Sequence, residues 1–135
     1  MYGYTLQDWI TIRGATSVTS ITQGEQGWMG FAPYQDIVFW LDIREVTPGG
    51  ATNILMNFET APTKDDVLFT GMTSSGVVMA AGAPIVTKIL LAQNPTCPLS
   101  RWVRWRINAS STPTSSWDAT FRILCSANAV SVVNG

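Results

Sequence analysis

The chain has no histidine. That removes the side chain that most often acts as a general base near neutral pH, and with it the Ser/His/acid and Cys/His nucleophile arrangements and most zinc sites. Charge is scarce as well: 13% of the 135 residues are Asp, Glu, Lys or Arg, against about a quarter in an average domain. An exterior so poor in charge is built from Ser, Thr, Asn, Gln and Gly, or is covered by a partner. Eight basic residues are mixed among nine acidic ones for a net charge of −1, so the concentrated basic face that nucleic acid requires is missing. The two cysteines, Cys97 and Cys125, fit neither a metal spacing nor a disulfide scaffold. They predict two buried thiols, with a bond across a sandwich as the alternative. The longest apolar run, Val77 to Ala92, is interrupted by Pro84, Thr87 and Lys88 and falls short of the roughly 20 residues of a membrane span. Met1 is not followed by a basic and then an apolar stretch, so no secretory signal is expected and folding in a cytosol is.

What the chain has in quantity is alternation. In Arg101-Trp102-Val103-Arg104-Trp105-Arg106-Ile107 a period of two puts Val103, Trp105 and Ile107 on one face and Trp102, Arg104 and Arg106 on the other. A helix would leave arginine in the core, so this is a strand. Ile37 to Val46 repeats the pattern, with Ile37, Phe39, Leu41 and Ile43 inward and Val38, Trp40, Asp42 and Arg44 outward. Ile54, Met56 and Phe58 are the inward set of Asn53 to Thr60, with Asn53, Asn57 and Glu59 outward. Trp117 to Ser126 places Ala119, Phe121, Ile123 and Cys125 inward and Asp118, Thr120, Arg122 and Leu124 outward. Thr47-Pro48-Gly49-Gly50 is a turn, making a hairpin candidate of the strands on either side, and the Ser/Thr/Pro segment Asn108 to Ser116 reads as a second hairpin loop.

Turn chemistry separates the remaining extended runs. Trp9 to Arg13 and Thr16 to Gln23 read as short strands, and a turn or two of helix fits within Ala61 to Leu68. Gln93 to Pro98 is a loop because two prolines deny ladder hydrogen bonds. Ala127 to Gly135 is a small-residue tail. About eight short antiparallel strands with no convincing amphipathic helix predict an all-β sandwich, a jelly roll in preference to an open meander, in a single domain spanning residues 1–135.

Chemistry is hard to place on this frame. Asp65 and Asp66 with Glu59 or Asp118 are the one carboxylate set that could serve glycoside hydrolysis or calcium, but strand-end acids are usually solvated turn residues and no calcium-loop spacing is present. No Gly-rich phosphate loop follows a strand, and the Asn108-Ala109-Ser110 sequon has no secretory context. The expectation is therefore a protein with no enzyme activity, cofactor or metal. Candidate surfaces remain. Tyr2, Tyr4 and Leu6 alternate in an N-terminal segment that is either an edge strand or, over residues 1–8, an arm for a neighbouring subunit. Trp28, Met29 and Phe31 sit in a glycine-punctuated loop that either closes one end of the core or displays them. Trp40 and Trp102 face outward, to be buried by protein or to stack on sugar rings. Arg104, Arg106 and Arg122 fall on one face if their strands form a hairpin, as ordinary sheet decoration or as a patch for an acidic protein surface.

These features together resemble the small capsid decoration, or cement, proteins of tailed bacteriophages: the strand series over the whole chain, the Tyr2/Tyr4 arm and the absence of a catalytic set. The resemblance is architectural and rests on no family-specific motif. It implies a structural virion protein on the outer capsid surface, made in the host cytoplasm. Such a protein binds the major capsid protein or another virion protein and forms a homo-oligomer, with a trimer favoured, without engaging nucleic acid or membrane. Arg101 to Ile107 also resembles the late strand of carbohydrate-binding sandwiches, which keeps a sugar-binding module as the alternative, with a tail or fibre component as a third.

Overall fold

In a computed structural model, residues 2–32, 34–72, 76–79, 85–90 and 99–129 are described. The described strands are β1 (Tyr2–Gly14), β2 (Ser20–Thr22), β3 (Met29–Gly30), β4 (Tyr34–Thr47), β5 (Ile54–Ala61), β6 (Thr70–Gly71), β7 (Val77–Met79), β8 (Ile85–Leu90), β9 (Trp102–Ala109) and β10 (Trp117–Ala129). One sheet has the order β1-β10-β4-β8. The other is centred on β9 and β5, with β2 and β3 sharing the free edge of β9 and β6 and β7 sharing the free edge of β5. Every pairing is antiparallel.

The pairs nest from the outside in: first strand with last, β2/β3 with β9, β4 with β8, β5 with β6/β7. This is one long antiparallel ribbon rolled over so that β10 also meets β4 and β9 also meets β5, which is a jelly roll. From β4 onward, rolling places consecutive long strands in opposite sheets. Neither expected hairpin therefore exists: β4 and β5 lie in different sheets, as do β9 and β10. A short Gly- or Ser-rich connection serves a crossover as well as a hairpin, so loop length could not separate the two.

The inward faces are those the alternation predicts. Ile37, Phe39, Leu41, Ile54, Met56, Phe58, Val103, Ile107, Ala119, Phe121 and Ile123 are all fully buried, with Ile43, Trp105 and Cys125 scarcely less so. Removing each large side chain from water contributes roughly 1.5–3 kcal/mol. Phe39 stacks on Phe58 at 4.1 Å between centroids, and Trp105 meets Phe121 edge-on at 5.2 Å, so each pair ties one sheet to the other. In β4 a register shift opposite Thr120/Phe121 moves Val46 onto the core face, where it is buried out of phase with Ile43.

Residues 2–7 form the first half of β1, hydrogen-bonded to β10 of the same chain, so this segment takes the edge-strand alternative. Register shifts between Thr5, Gln7 and Ile10 mark bulges. They let Gln7 accept from the Trp105 indole N–H and let the Leu6 carbonyl accept from the buried Gln23 amide, whose oxygen takes the Trp105 backbone N–H. Gly14 is required by contact, since a Cβ there would lie 2.2 Å from the Trp117 ring. Gly49 and Gly50 take positive φ of 63° and 86°, and the Gly49 carbonyl accepts from the N–H groups of Thr114 and Ser115, clamping two crossovers together.

The helical turn expected near Ala61 to Leu68 is a 3-10 turn at Asp66–Leu68, capped by Asp65. Cys125 is a free, buried thiol. Cys97, the Gln93 to Pro98 loop, the Pro84 interruption and residues 130–135 of the tail lie outside the described residues.

Candidate protein interface

The outward face of the β9–β5 sheet is built round Arg104. Its neighbour across the ladder is Glu59, and its Nε donates to Glu59 Oε1 at 2.9 Å while Nη1 donates to Asp66 Oδ1. Arg106 donates from Nε to the other Glu59 oxygen at 3.1 Å and from Nη1 to Ser20 Oγ. The guanidinium of Arg104 lies 4.0 Å from the Phe69 centroid and 5.0 Å from that of Trp28, and those two rings meet at 4.7 Å. Two connecting segments, 24–28 and 62–69, thus roof the sheet and bury Arg104 to 6% and Glu59 to 7% exposure. Both were expected to be outward and wet. They do point outward, but the roof dehydrates them.

Leu6 and Phe31 also leave the list of candidate surface residues, because both are buried in the core. Phe31 meets Tyr4 edge-on and Tyr34 at a tilt, the two tyrosine hydroxyls bond to each other, and this aromatic group closes one end of the sandwich. Met29 packs against the same core. The end-closing role therefore describes Phe31 and Met29. Trp28 instead folds back over the outside of the sheet and donates its indole N–H to the Gln23 carbonyl. Trp102 is half-buried, with Lys64 Nζ 5.0 Å and Arg101 Cζ 5.7 Å from its ring. Of Tyr2 the backbone is placed, paired with Ala127.

Among the described residues, none roofs the centre of the other sheet's outward face. Arg122 donates to Asp42 at 2.8 Å with its side chain 38% exposed. Trp9, 39% exposed, has the guanidinium of Arg122 at 5.0 Å and that of Arg44 at 4.9 Å. Further along the strands Gly3, Tyr4, Thr5, Trp40, Leu124 and Ser126 line an open groove of about 500 Å³. Because β9 and β10 are in different sheets, Arg122 lies on the opposite face from Arg104 and Arg106, and the expected triple-arginine face does not form.

Trp9, Phe69 and the burial of Glu59 were not singled out from the sequence. Trp9 was legible only as part of a short strand, because the bulges ahead of it set which way it points. Phe69 could have been found through the Asp65 cap, which starts a helical turn and brings the ring back over the sheet.

Chemically the described residues offer contact and little else. No group of three or more Cys, Asp or Glu converges among them as a metal site, and Glu59 and Asp66 are engaged by arginine. Burial pushes the Cys125 thiol from 9.0 up to about 12, which suppresses its thiolate.

No protein-family model and no curated protein sequence matches the chain. Solved structures do. The chain is similar to one in the structure of T=1 particles derived from infectious bursal virus, with a TM-score of 0.57 and 14% identity over 95% of this chain. It is similar also to the infectious bursal disease virus VP2 subviral particle (TM-score 0.54, 12% identity, 95% of this chain) and to the Gx strain of that virus (0.56, 9%, 98%). The likeness is one of fold. The jelly roll described above spans about a third of each of those chains, 31 to 32% of their length.

Proposed function

We propose that the chain is a structural virion protein that binds and stabilises a capsid lattice from its outer surface, as a decoration or cement protein does. The observation that carries this reading is the strand order. A rolled antiparallel ribbon with β1-β10-β4-β8 facing β2/β3-β9-β5-β6/β7 is shared across nearly the whole chain with domains of viral particles. One further feature supports it: the outward face of the β1–β10–β4–β8 sheet carries an exposed tryptophan beside two arginines and an open groove. Docking there places Trp9, Arg44 and Arg122 against an acidic or polar surface of the major capsid protein or another virion protein. Affinity arises from many modest contacts repeated over a lattice. The trimer remains the favoured oligomer in this reading.

The test is co-sedimentation of the purified chain with capsids that lack it, followed by heating. Binding at a fixed copy number per capsid, with capsids that withstand higher temperature, supports the proposal. A chain that neither pellets with capsids nor alters their stability overturns it. One alternative has its own support in the fold match: a domain of the shell itself, for which the purified chain would close into particles without any added capsid.

A further inference from the structure

We propose that two copies of this chain pair along the free edge of β1, antiparallel about a two-fold axis at Thr11, so that their β1–β10–β4–β8 sheets run on as one. β1 is the last strand of its sheet, and among the described residues no strand pairs with its other side. A row of backbone N–H and C=O groups left open in this way is a template for a further strand. Bulges blunt the edge between Thr5 and Ile10, but from Ile10 to Gly14 the pairing with β10 is unbroken and contains no proline. Every described residue that borders a stretch outside the described residues lies on or beside β5 to β8, or at the end of the sandwich closed by Tyr4, Phe31 and Tyr34. None borders Ile10 to Arg13.

The seam behind this edge is apolar. β10 faces β9 through Phe121 and Trp105, and β4 faces β5 through Phe39 and Phe58, which sets β1 over β2 at one open side of the sandwich. There Ile10, Ile12, Val18 and Ile21 pack against the core while each keeps part of its surface in water. What β1 itself carries selects a second copy as the occupant. Thr11 and Arg13 are exposed on the outward side, Thr11 bonded to Thr120, whereas Ile10 and Ile12 point inward. Pairing about Thr11 sets Ile10 of each copy against Ile12 of the other and brings each Arg13 beside the other copy's Asp8. Asp8 and Arg13 are exposed, and among the described residues neither forms an ion pair, although Asp118 stands across the ladder from Arg13. An acid at one end of a short edge and a base at the other attract a second copy only when it runs antiparallel. Pairing about Ile12 instead would face Ile10 with Gly14, which has no side chain. It would also bring the two Arg13 residues to about 7 Å apart along the strands, where the Thr11 register keeps them about 13 Å apart. The contact is isologous, and it leaves the outward faces of both copies open.

The experiment is sedimentation velocity at rising concentration on the wild-type chain, on Arg13→Asp, on Asp8→Arg, and on an equimolar mixture of the two variants. Both positions are exposed, so the fold is kept. The wild-type chain is expected to form even-numbered species, the dimer first. Each variant sets like charges together in both halves of the contact and should associate about tenfold more weakly. The mixture should recover the wild-type affinity, because every Asp of one variant then meets an Arg of the other. Thr11→Cys under mild oxidation gives a second readout. The paired copies hold residue 11 about 5 Å from its mate between Cα atoms, within disulfide reach, so a covalent dimer beyond that of oxidised wild type is expected. A wild-type chain that stays monomeric to its solubility limit would overturn the proposal. So would variants that associate as wild type does, a mixture no tighter than its components, or a Thr11→Cys chain that cross-links no more than wild type. Dimers that form in this way yet ignore capsids overturn only the capsid reading, on which the pairing does not rest.

Discussion

The two outward faces of the sandwich are made from the same materials and end in different states. Each has an arginine opposite a carboxylate on the neighbouring strand, with tryptophan stacked nearby. On the β9–β5 face, segments 24–28 and 62–69 close over the arginine, leaving Arg104 at 6% exposure. On the other, Arg122 keeps 38% of its side chain in water and Trp9 stays 39% exposed. Burial decides what these pairs are worth. A dehydrated pair is costly to break because the surviving charge has no water, whereas a wet pair is nearly free to lose. One face is thus sealed as part of the folded unit, and the other, among the described residues, keeps its ion pair and tryptophan in water.

The sharpest way to break this comparison is to remove the same atoms from both sides. Arg104→Ala leaves the buried Glu59 carboxylate with Arg106 as its remaining ion-pair partner and should cost about 3 kcal/mol in urea unfolding. Replacing both partners, as Arg104→Met with Glu59→Leu, should recover most of that loss, since no buried charge is left alone. A double variant as unstable as the single one would mean that packing, and not charge, holds the roof. Trp28→Ala should come next, at about 2 kcal/mol, with faster amide exchange across residues 65–69 because Phe69 loses its neighbour.

Titration of Cys125 sharpens the contrast between core and surface. Its proton is retained up to about pH 12 in the folded chain and lost near 9 once unfolded. The unfolded state therefore binds fewer protons above pH 9, and stability falls as pH rises from 9 toward 12, by about 1 kcal/mol at pH 10. Cys125→Ala, compared with wild type by urea unfolding at pH 8 and pH 10, should lack that component of the slope. The smallest effect is expected on the open face, where Arg122→Ala should change stability by less than about 1 kcal/mol. A loss as large as that of Arg104→Ala would erase the distinction between the faces.

How far the residues alone disclosed this follows from what alternation encodes. Period two identified the inward sets of β4, β5, β9 and β10 because burial on one face leaves a local record along each strand. Strand partners leave no such record. The Pro48-Gly49-Gly50 turn and the Ser/Thr/Pro segment after β9 read equally as hairpins, and only the rolling of the whole ribbon sends their strands to opposite sheets. The same non-locality hid the burial of Arg104, since its roof comes from residues about 35 or more positions away. It misplaced Arg122 relative to Arg104 and Arg106, and it concealed Trp9, whose direction is set by bulges that no residue type announces. Phe31 and Leu6 read as surface candidates because a loop and a terminus are usually exposed, whereas here both close the core.

The claim on which the rest depends is that the unroofed face is the one that meets a partner. Hydroxyl-radical footprinting of the chain free and bound to capsids tests it directly, reading each tryptophan by mass spectrometry. Protection of Trp9 on binding, with Trp28 oxidised to the same extent in both states, is the predicted result. Protection of Trp28 with Trp9 unchanged would contradict it.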